Sequence, residues 1–232
     1  MPIKVGIIGH TGKVGTALQA ALKNDLQCSY VKGVDSKSSL EDYHALFDSS
    51  SVVIDFSLPS KLDWKLKVAT DLQKPLVMGT TGFSENQKKL IVEASSKVPI
   101  FYSSNFSLGM FFFQKMLKTI EEVDWFDAID LVEWHKAAKK DSPSGTALQI
   151  LQEVNKYTNK KTHISSIRSG EVFCEHTLFF SSDKERVTLK HEAYDRAVYA
   201  KGAIAAAKFL IGKPEGMYSM EDLLTTQEKC TK

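Results

Sequence analysis

Short apolar runs alternate with amphipathic segments through the first hundred residues, and this alternation constrains the fold more than any other feature. Five runs rich in Val, Ile and Phe are predicted to be buried strands: Ile3–Gly9, Ser29–Asp35, Val52–Ser57, Pro75–Thr80 and Pro99–Ser104. Helix-spaced apolar positions predict helices between them, the last with an N-capping Ser84 and a capping box at Gln87: Lys13–Asn24, Ser60–Gln73 and Ser84–Lys97. The order predicts an α/β fold with a Rossmann-like, doubly wound parallel sheet.

A glycine-rich turn joins the first predicted strand to the first predicted helix. It runs Gly9-His10-Thr11-Gly12-Lys13-Val14-Gly15, and the free backbone N–H groups of such a turn suit a pyrophosphate. Asp35 ends the second predicted strand, where a carboxylate can accept hydrogen bonds from both ribose hydroxyls of an adenosine. Lys13 and Lys37 flank that place and could instead hold a 2′-phosphate, so NADH and NADPH both stay open. In the alternative interpretation the glycines serve only helix–strand packing.

The pattern changes near Asn105–Leu108, where a domain boundary is predicted. Two helices and an Ala-rich third one are predicted beyond it: Ser107–Val123, Thr146–Tyr157 and Ala197–Ile211. Three strands are predicted, the last two joined as a hairpin: Ala128–Trp134, Glu175–Ser181 and Arg186–Ala193. Successive strands without crossover helices predict a second α+β domain with a mixed or antiparallel sheet.

A basic stretch in the second half carries the chemistry-bearing side chains. His135 can act as a general acid near neutral pH, and Lys139 can face an anion or donate a proton. Ser144-Gly145-Thr146 offers two hydroxyls and free N–H groups at a predicted helix start, which suits a substrate carboxylate. The alternative is a solvated basic loop before an ordinary capped helix. The other candidate histidines are predicted to be structural or exposed, without a nearby set of partners: His44, His163, His176 and His191.

Charge and cysteine usage exclude several classes of protein. Thirty basic against 28 acidic residues leave a net charge of +2, which gives no case for a nucleic-acid partner. The chain shows no signal peptide and no adequate membrane span, so a cytoplasmic protein without a membrane partner is expected. The cysteines are far apart and form no C-x-x-C pair, which argues against disulfides and a metal site: Cys28, Cys174 and Cys230.

Several motifs in the right order resemble one enzyme family over essentially the whole chain. The most specific is Glu133-x-His135-x-x-x-Lys139-x-Asp141-x-Pro143-Ser144-Gly145-Thr146-Ala147. It is joined by Gly79-Thr80-Thr81-Gly82-Phe83, by Asn105-Phe106-Ser107-x-Gly109 and by Glu175-His176-Thr177. These residues are similar to those of the 4-hydroxy-tetrahydrodipicolinate reductases, also called dihydrodipicolinate reductases, of lysine and diaminopimelate biosynthesis.

The resemblance implies an architecture and an activity. Residues 1–105, completed by 197–232, would form a dinucleotide-binding domain, and residues 106–196 would bind substrate and build a homotetramer. The reaction would be the NADH- or NADPH-dependent reduction of 4-hydroxy-tetrahydrodipicolinate, a small dicarboxylate, to tetrahydrodipicolinate with loss of water. The chemistry needs no metal, because the nicotinamide supplies the hydride.

The resemblance also implies residue roles. His135 would be the general acid/base and Lys139 the proton donor, with substrate held by Lys136, Ser144, Gly145 and Thr146. The pyrophosphate and ribose would be bound by Gly9, His10, Thr11, Gly12, Lys13, Val14, Asp35 and Ser36. The nicotinamide side would be lined by Gly79, Thr80, Thr81, Ser103, Ser104, Asn105 and Phe106.

Some positions depart from the family pattern. Lys136 stands where the family has a second histidine, Ser142 replaces an alanine, and Ser36 replaces an arginine that many members place after the ribose acid. Two other functions stay open. One is a Rossmann reductase for another small carboxylate, and the other is a catalytically silent NAD(P)H-sensing protein.

Overall fold

The computed structural model describes residues 1–122 and 125–227. The chain divides into two compact units, one made of Met1–Ser107 with the chain from Arg196 onward, the other of Leu108–Asp195. Three sequence predictions touch residues outside the described ranges: the helix end at Val123, Cys230, and the 228–232 part of the C-terminal segment.

The first unit is built on a six-stranded parallel sheet, which confirms the predicted Rossmann-like α/β fold. Its strands, numbered in chain order, are β1 Ile3–Ile8, β2 Cys28–Val34, β3 Val52–Asp55, β4 Leu76–Met78, β5 Pro99–Tyr102 and β10 Gly216–Tyr218. Their order in the sheet is β10-β5-β4-β3-β1-β2. Every residue of β3 and β4 is buried, as expected for strands covered by helices on both faces.

The described residues of this unit form six helices: α1 Lys13–Leu22, α2 Leu40–Ser49, α3 Leu62–Asp71, α4 Glu85–Ser95, α7 Ala197–Leu210 and α8 Met220–Gln227. The predicted capping box at Ser84 and Gln87 is confirmed. No element was predicted for residues 36–51, yet α2 lies there. Its start carries a second capping box, between Ser39 and Asp42, which is the signal that could have found it.

The second unit holds a four-stranded mixed sheet, as predicted. Its elements are α5 Leu108–Leu117, a 3₁₀ segment Lys118–Glu122, β6 Ala128–His135, α6 Gly145–Tyr157, β7 Thr162–Arg168, β8 Cys174–Ser181 and β9 Arg186–Ala193. The strand order is β7-β6-β8-β9, with β6 and β7 parallel and the other pairs antiparallel. The sequence analysis missed β7, because its alternating half-buried residues contain no apolar run.

The prediction of one continuous helix over Ser107–Val123 is wrong beyond Leu117. The chain tightens there into the 3₁₀ segment, and the Thr119 hydroxyl donates to the Met116 carbonyl oxygen at 2.7 Å. A β-branched pair at Thr119-Ile120 and this side-chain hydrogen bond both disfavour further α-helix.

One face of the second sheet changes from apolar to polar along its strands. On β6 the buried positions are Ile129, Leu131, Glu133 and His135, and the buried β8 residues on the same face are Phe180, Leu178, His176 and Cys174. The apolar end of this face forms a core with α5 and α6. The polar end therefore places three titratable side chains and a thiol where a core would normally continue.

None of the helices in the described ranges is long and apolar enough to cross a membrane.

Candidate active site

The predicted dinucleotide residues of the first unit lie where its parallel strands end. Each of the first five predicted strands runs one or two residues too far, to Gly9, Asp35, Ser57, Thr80 and Ser104. In the structure the strands end earlier, and these residues begin loops at the carboxyl edge of the sheet. That edge is where ligands bind in open α/β sheets.

The loop between β1 and α1 has the geometry of a phosphate cradle. Gly9 has a left-handed φ of 83°, and the Gly12 N–H donates to the Gly9 carbonyl oxygen at 2.9 Å. A Cβ on Gly15 would overlap the Gly9 carbonyl oxygen and the His10 Cα. No side chain caps α1 at Gly12. The N–H groups that open the helix are thus available for an anion, so the residues present fit a dinucleotide pyrophosphate.

Asp35 begins a tight loop after β2. Its N–H donates to the Ser38 hydroxyl at 3.1 Å, and its Oδ1 accepts from the Lys37 N–H at 2.9 Å. Lys61 fixes the same loop, since its Nζ donates to the carbonyl oxygens of Ser36 and Ser38 at 2.9 and 2.8 Å. The sequence analysis missed Lys61, and no local pattern marks it.

The loops after β3 and β4 are bonded to each other. The Ser57 N–H donates to the Thr80 hydroxyl at 3.1 Å, and the Gly79 N–H donates to the Asp55 carbonyl oxygen at 2.8 Å. A Cβ on Gly79 would enter the Phe56 ring. The predicted residues Gly79 and Thr80 are therefore held in place by a neighbouring loop that the sequence analysis did not single out.

A fully buried ion pair supports that loop. Lys65 Nζ lies 2.9 Å from Asp55 Oδ2, with 1% and 0% of the two side chains exposed. The same ammonium group donates to the Ser57 hydroxyl and to the Leu58 carbonyl oxygen, both at 2.8 Å. Because the lysine is fully hydrogen-bonded, it fixes the loop without leaving an unpaired buried charge.

The predicted residues after β5 differ in exposure. Ser103 donates to the Asn105 carbonyl oxygen at 2.6 Å, whereas Ser104 is exposed, as is Thr81 in the loop after β4. Phe106 is only 1% exposed, because its ring packs against Phe56 and Phe101. Its side chain is thus part of the core, and only its backbone can face a ligand.

In the second unit, Glu133 organises the polar end of the sheet face. Its carboxylate is fully buried and accepts from His135 Nδ1, from Arg168 Nη2 at 2.5 Å and from the Ser144 N–H at 3.2 Å. Burial alone would raise the pKa of Glu133, but hydrogen bonds from Arg168, Ser166 and His135 outweigh it and hold the pKa at about 2. Glu133 is therefore a permanent anion that positions three neighbours.

His135 is held in one tautomer by this anion. With Nδ1–H donated to Glu133, the ring presents Nε2 on its other side. Burial lowers the pKa of His135, and the attraction of Glu133 opposes that shift without cancelling it. The resting ring is neutral and has an open basic nitrogen.

The start of α6 provides anion-binding groups close to His135 in sequence. Ser144 is the N-cap, and its hydroxyl accepts from the Ala147 N–H at 3.1 Å. The N–H groups of Gly145 and Thr146 have no partner among the residues that the structure describes. A Cβ on Gly145 would meet nothing within 4 Å, so the space in front of this turn is open. The predicted substrate role of the Ser144 hydroxyl stays a prediction, although the hydroxyl is already engaged.

The two predicted lysines lie on the loop between β6 and α6. Lys139 Nζ contacts both carboxylate oxygens of Asp141 at 2.8 Å, and a hydrogen bond from Lys139 lowers the pKa of Asp141. Lys136 is half-buried. Arg168, which the sequence analysis missed, fastens this loop through a 2.7 Å hydrogen bond to the Asp141 carbonyl oxygen.

The prediction that His176 lacks nearby partners is wrong. The side chain is fully buried, with Nε2 at 3.2 Å from the Ser144 hydroxyl and Nδ1 at 3.5 Å from Cys174 Sγ. Burial, helped by repulsion from His135, lowers the pKa of His176 to about 3. Its place in the Glu175-His176-Thr177 motif was the available signal. His44 and His163 are exposed, as expected.

Comparison with known proteins gives one family for both halves of the chain. The family model described as the N-terminus of dihydrodipicolinate reductase matches residues 3–106, and the model described as its C-terminus matches residues 108–224. Curated proteins named 4-hydroxy-tetrahydrodipicolinate reductase are similar along almost their full lengths. The one from Bdellovibrio bacteriovorus is 35% identical, over 98% of this chain and 98% of its own. The one from Rickettsia bellii is 37% identical, over 96% and 94%.

Solved structures show the same fold. The dipicolinate-bound dihydrodipicolinate reductase of Paenisporosarcina sp. TG-14 superposes with a TM-score of 0.80 at 20% identity, over 94% of this chain and 98% of that one. A probable dehydrogenase from Thermotoga maritima gives a TM-score of 0.66 at 12% identity, over 96% and 93%.

Proposed function

The chain belongs to the dihydrodipicolinate reductase family, and from this premise we propose that it reduces 4-hydroxy-tetrahydrodipicolinate to tetrahydrodipicolinate with NAD(P)H. The single observation that carries the proposal is the Glu133–His135 pair in the same unit as an open helix start and Lys139. A neutral, oriented imidazole together with groups that bind carboxylates matches a dianionic substrate that must gain a proton.

The first unit is proposed to hold the dinucleotide. Gly9 to Val14 and the uncapped start of α1 would bind the pyrophosphate, and Asp35 with Ser36 the adenosine ribose. The loops after β4 and β5 would line the nicotinamide side. NAD(P)H supplies the hydride when bound. Asp35 favours a free 2′-hydroxyl, whereas Lys13, Lys37 and Lys61 lie on or beside the loops that a 2′-phosphate would need. The preference between NADH and NADPH is thus a matter for measurement.

The start of α6 is proposed to bind one substrate carboxylate. The N–H groups of Gly145 and Thr146 and the Thr146 hydroxyl would donate to it, at the positive end of the helix dipole. Lys136 would add charge on the same side. Ser144 would act mainly by capping the helix, because its hydroxyl already serves Ala147 and His176.

His135 and Lys139 are proposed to transfer the proton that the product must gain. His135 is neutral at rest because burial lowers its pKa. A dianion beside the ring raises the pKa of His135, so substrate binding favours protonation of Nε2. The ring then returns the proton to the electron-rich product, a step worth about 10²–10⁴-fold in rate. Lys139 would supply the replacement proton, with Asp141 holding its ammonium group in place.

The remaining proposals concern assembly and place. Members of the family are expected to form homotetramers through the second unit. We propose that the reaction takes place in the cytoplasm, where reduced nicotinamide dinucleotides are present.

To test this proposal, a purified synthase generates the substrate in the assay from pyruvate and aspartate semialdehyde. Oxidation of NADH and of NADPH is then followed separately by the loss of reduced-nicotinamide absorbance. Oxidation that requires the synthase supports the proposal, and the ratio of the two rates identifies the preferred dinucleotide. The His135→Gln variant should lose about 10²-fold or more in kcat, while the exposed His163→Gln control keeps it. Dinucleotide binding without turnover would instead favour the silent-sensor alternative.

A further inference from the structure

A thiol and two imidazoles converge at the polar end of the second sheet. Cys174, His135 and His176 are all buried, and one ligand atom from each lies within 4.8 Å of the other two. The proposed reaction uses only His135. The thiol therefore has no part in the proposed function.

The strand register brings these residues together. Glu133 on β6 pairs with His176 on β8, and the next pair in this antiparallel ladder is Trp134 and Glu175. One step further, His135 stands opposite Cys174. Because alternate residues of a strand share a face, the three side chains emerge on the same side. Local cysteine spacing does not predict this set, because its members come from two strands that are distant in sequence.

The distance between the Cys174 thiol and the His176 imidazole is suitable for two ligands of the same metal ion. Cys174 Sγ lies 3.5 Å from His176 Nδ1. Two ligands at ordinary Zn–S and Zn–N bond lengths in a tetrahedron would be about 3.6 Å apart. Drawing the widest pair of the set together to a tetrahedral spacing needs a shift of at most about 1.4 Å.

Both imidazoles already have partners on their far nitrogens. His135 Nδ1 is bonded to the Glu133 carboxylate, and His176 Nε2 to the Ser144 hydroxyl. With those nitrogens acting as donors, the lone pairs on His135 Nε2 and His176 Nδ1 remain for a cation. Histidine ligands of metals are typically oriented by such outer hydrogen bonds, most often to a carboxylate.

We propose that Cys174, His135 and His176 form a binding site for a borderline-soft divalent cation such as Zn²⁺, and that the bound cation inhibits the reductase by occupying His135. Coordination replaces the thiol S–H bond with an S–metal bond, and the proton leaves to solvent. One thiolate and two imidazoles bind zinc in preference to magnesium or calcium. Three protein ligands leave the fourth tetrahedral position for water.

The inhibitory part of the proposal rests on the proposed function, but the binding part does not. A cation on His135 Nε2 removes the lone pair that would accept and return the proton. Binding can therefore be measured optically, without any turnover, and inhibition can be measured separately.

Purified, chelator-treated full-length protein is titrated first with Co²⁺, whose thiolate complexes show a ligand-to-metal charge-transfer band, and then with Zn²⁺ as competitor. We expect one equivalent of Co²⁺ to produce the band and one equivalent of Zn²⁺ to abolish it. In the reductase assay Zn²⁺ should inhibit and a chelator should restore the rate. Absence of the band in the wild-type protein would overturn the proposal.

Cysteine variants supply the matched comparison. Cys174→Ala and the near-isosteric Cys174→Ser should lose the band and bind Zn²⁺ more than about 100-fold more weakly, since outer partners alone are worth about 10–100-fold. Both should keep basal turnover. Cys28→Ala removes the other buried thiol of the described residues and should behave as wild type. Equal Zn²⁺ affinity in Cys174→Ser and Cys28→Ala would overturn the site. A Co²⁺ band in a protein that has no reductase activity would support the site and contradict the proposed function instead.

Discussion

At the scale of single residues, one buried carboxylate explains more of the second unit than any other side chain. Glu133 meets an imidazole, a guanidinium group and the N–H of a helix cap at once. Each of these partners comes from a different element, so a single anion sets the ring orientation and the loop beside α6. The sequence motif contained Glu133, but only the structure showed which groups it holds.

Glu133→Gln is expected to reduce kcat at least about 100-fold, the low end of what a well-placed acid/base group contributes. The neutral amide cannot fix the donor tautomer of His135 or balance the charge of Arg168. The free energy of unfolding should fall by about 3 kcal/mol, as when one member of a buried ion pair is removed. Turnover is measured well below the melting temperature, alongside dinucleotide affinity, which should not change.

Glu175→Gln is the matched control for this prediction. Its carboxylate lies on the neighbouring strand and pairs with Lys190, whose side chain is 46% exposed. Loss of such a surface pair should cost less than about 1 kcal/mol. If both variants lose the same activity, Glu133 does not have the positioning role assigned to it.

At the scale of elements, the sequence patterns predicted which segments are strands more accurately than the residues at which those strands end. Burial on both faces gives a strong apolar pattern, which located all five strands of the N-terminal half. The same pattern could not tell the last strand residue from the first loop residue, since Gly9 and Asp35 continue each run. The elements β7 and α2 were missed because neither contains an apolar run. Arg168 reaches Glu133 from 35 residues away, and Lys61 donates to loop residues 25 and 23 positions away, so no local pattern encodes these contacts.

Two glycines at helix starts give opposite predictions. Gly15→Ala places a methyl group against the Gly9 carbonyl oxygen and the His10 backbone, so the first loop must shift. We expect dinucleotide affinity to fall by at least about 10-fold, equivalent to about 1.4 kcal/mol. Gly145→Ala meets nothing within 4 Å and should fold normally.

Gly145→Ala should instead raise the KM for substrate, because its methyl group enters the open space in front of the carboxylate-binding N–H groups. Dinucleotide affinity should stay at the wild-type value. Measuring both constants for both variants makes each the control of the other. A Gly145→Ala enzyme with an unchanged KM would remove the start of α6 from the substrate site.

At the scale of the whole molecule, the first unit is discontinuous in sequence. The helix α7 packs against α1 and the central strands, with five of its alanines and leucines fully buried: Ala200, Ala203, Ala206, Ala207 and Leu210. Strand β10 completes the sheet beside β5. The dinucleotide unit thus depends on residues on both sides of the second unit.

Gly202→Val tests this dependence. A Cβ on Gly202 would overlap the Phe106 carbonyl oxygen, so α7 and the loop after β5 must move apart. Overpacking of this kind costs about 1–3 kcal/mol. We expect a lower melting temperature together with weaker dinucleotide binding, measured by calorimetry. The exposed Lys201→Val change, one residue away, is the control and should leave both unchanged.

An ion pair fastens α7 and gives a pH dependence. Lys208 Nζ lies 2.8 Å from Asp25 Oδ2. Burial alone would raise the pKa of Asp25, but the hydrogen bonds from Lys208 and from the Gln27 and Cys28 N–H groups lower it below 3.8. A depressed carboxyl pKa contributes stability that is present above pH 3.8 and is lost as the pH falls further. Asp25→Asn should therefore lose less stability than wild type between pH 4 and pH 2 in denaturant titrations, and equal losses would contradict the assignment.

The discontinuity of the first unit also sets an order of events during synthesis. A chain leaves the ribosome from its N-terminus, so Leu108–Asp195 emerges whole before α7 and β10 do. The first hundred residues keep the face that α7 will cover exposed until α7 has emerged, and their sheet is complete only after Tyr218 has left the ribosome. The middle of the protein can therefore complete its own sheet before the dinucleotide unit has all of its elements.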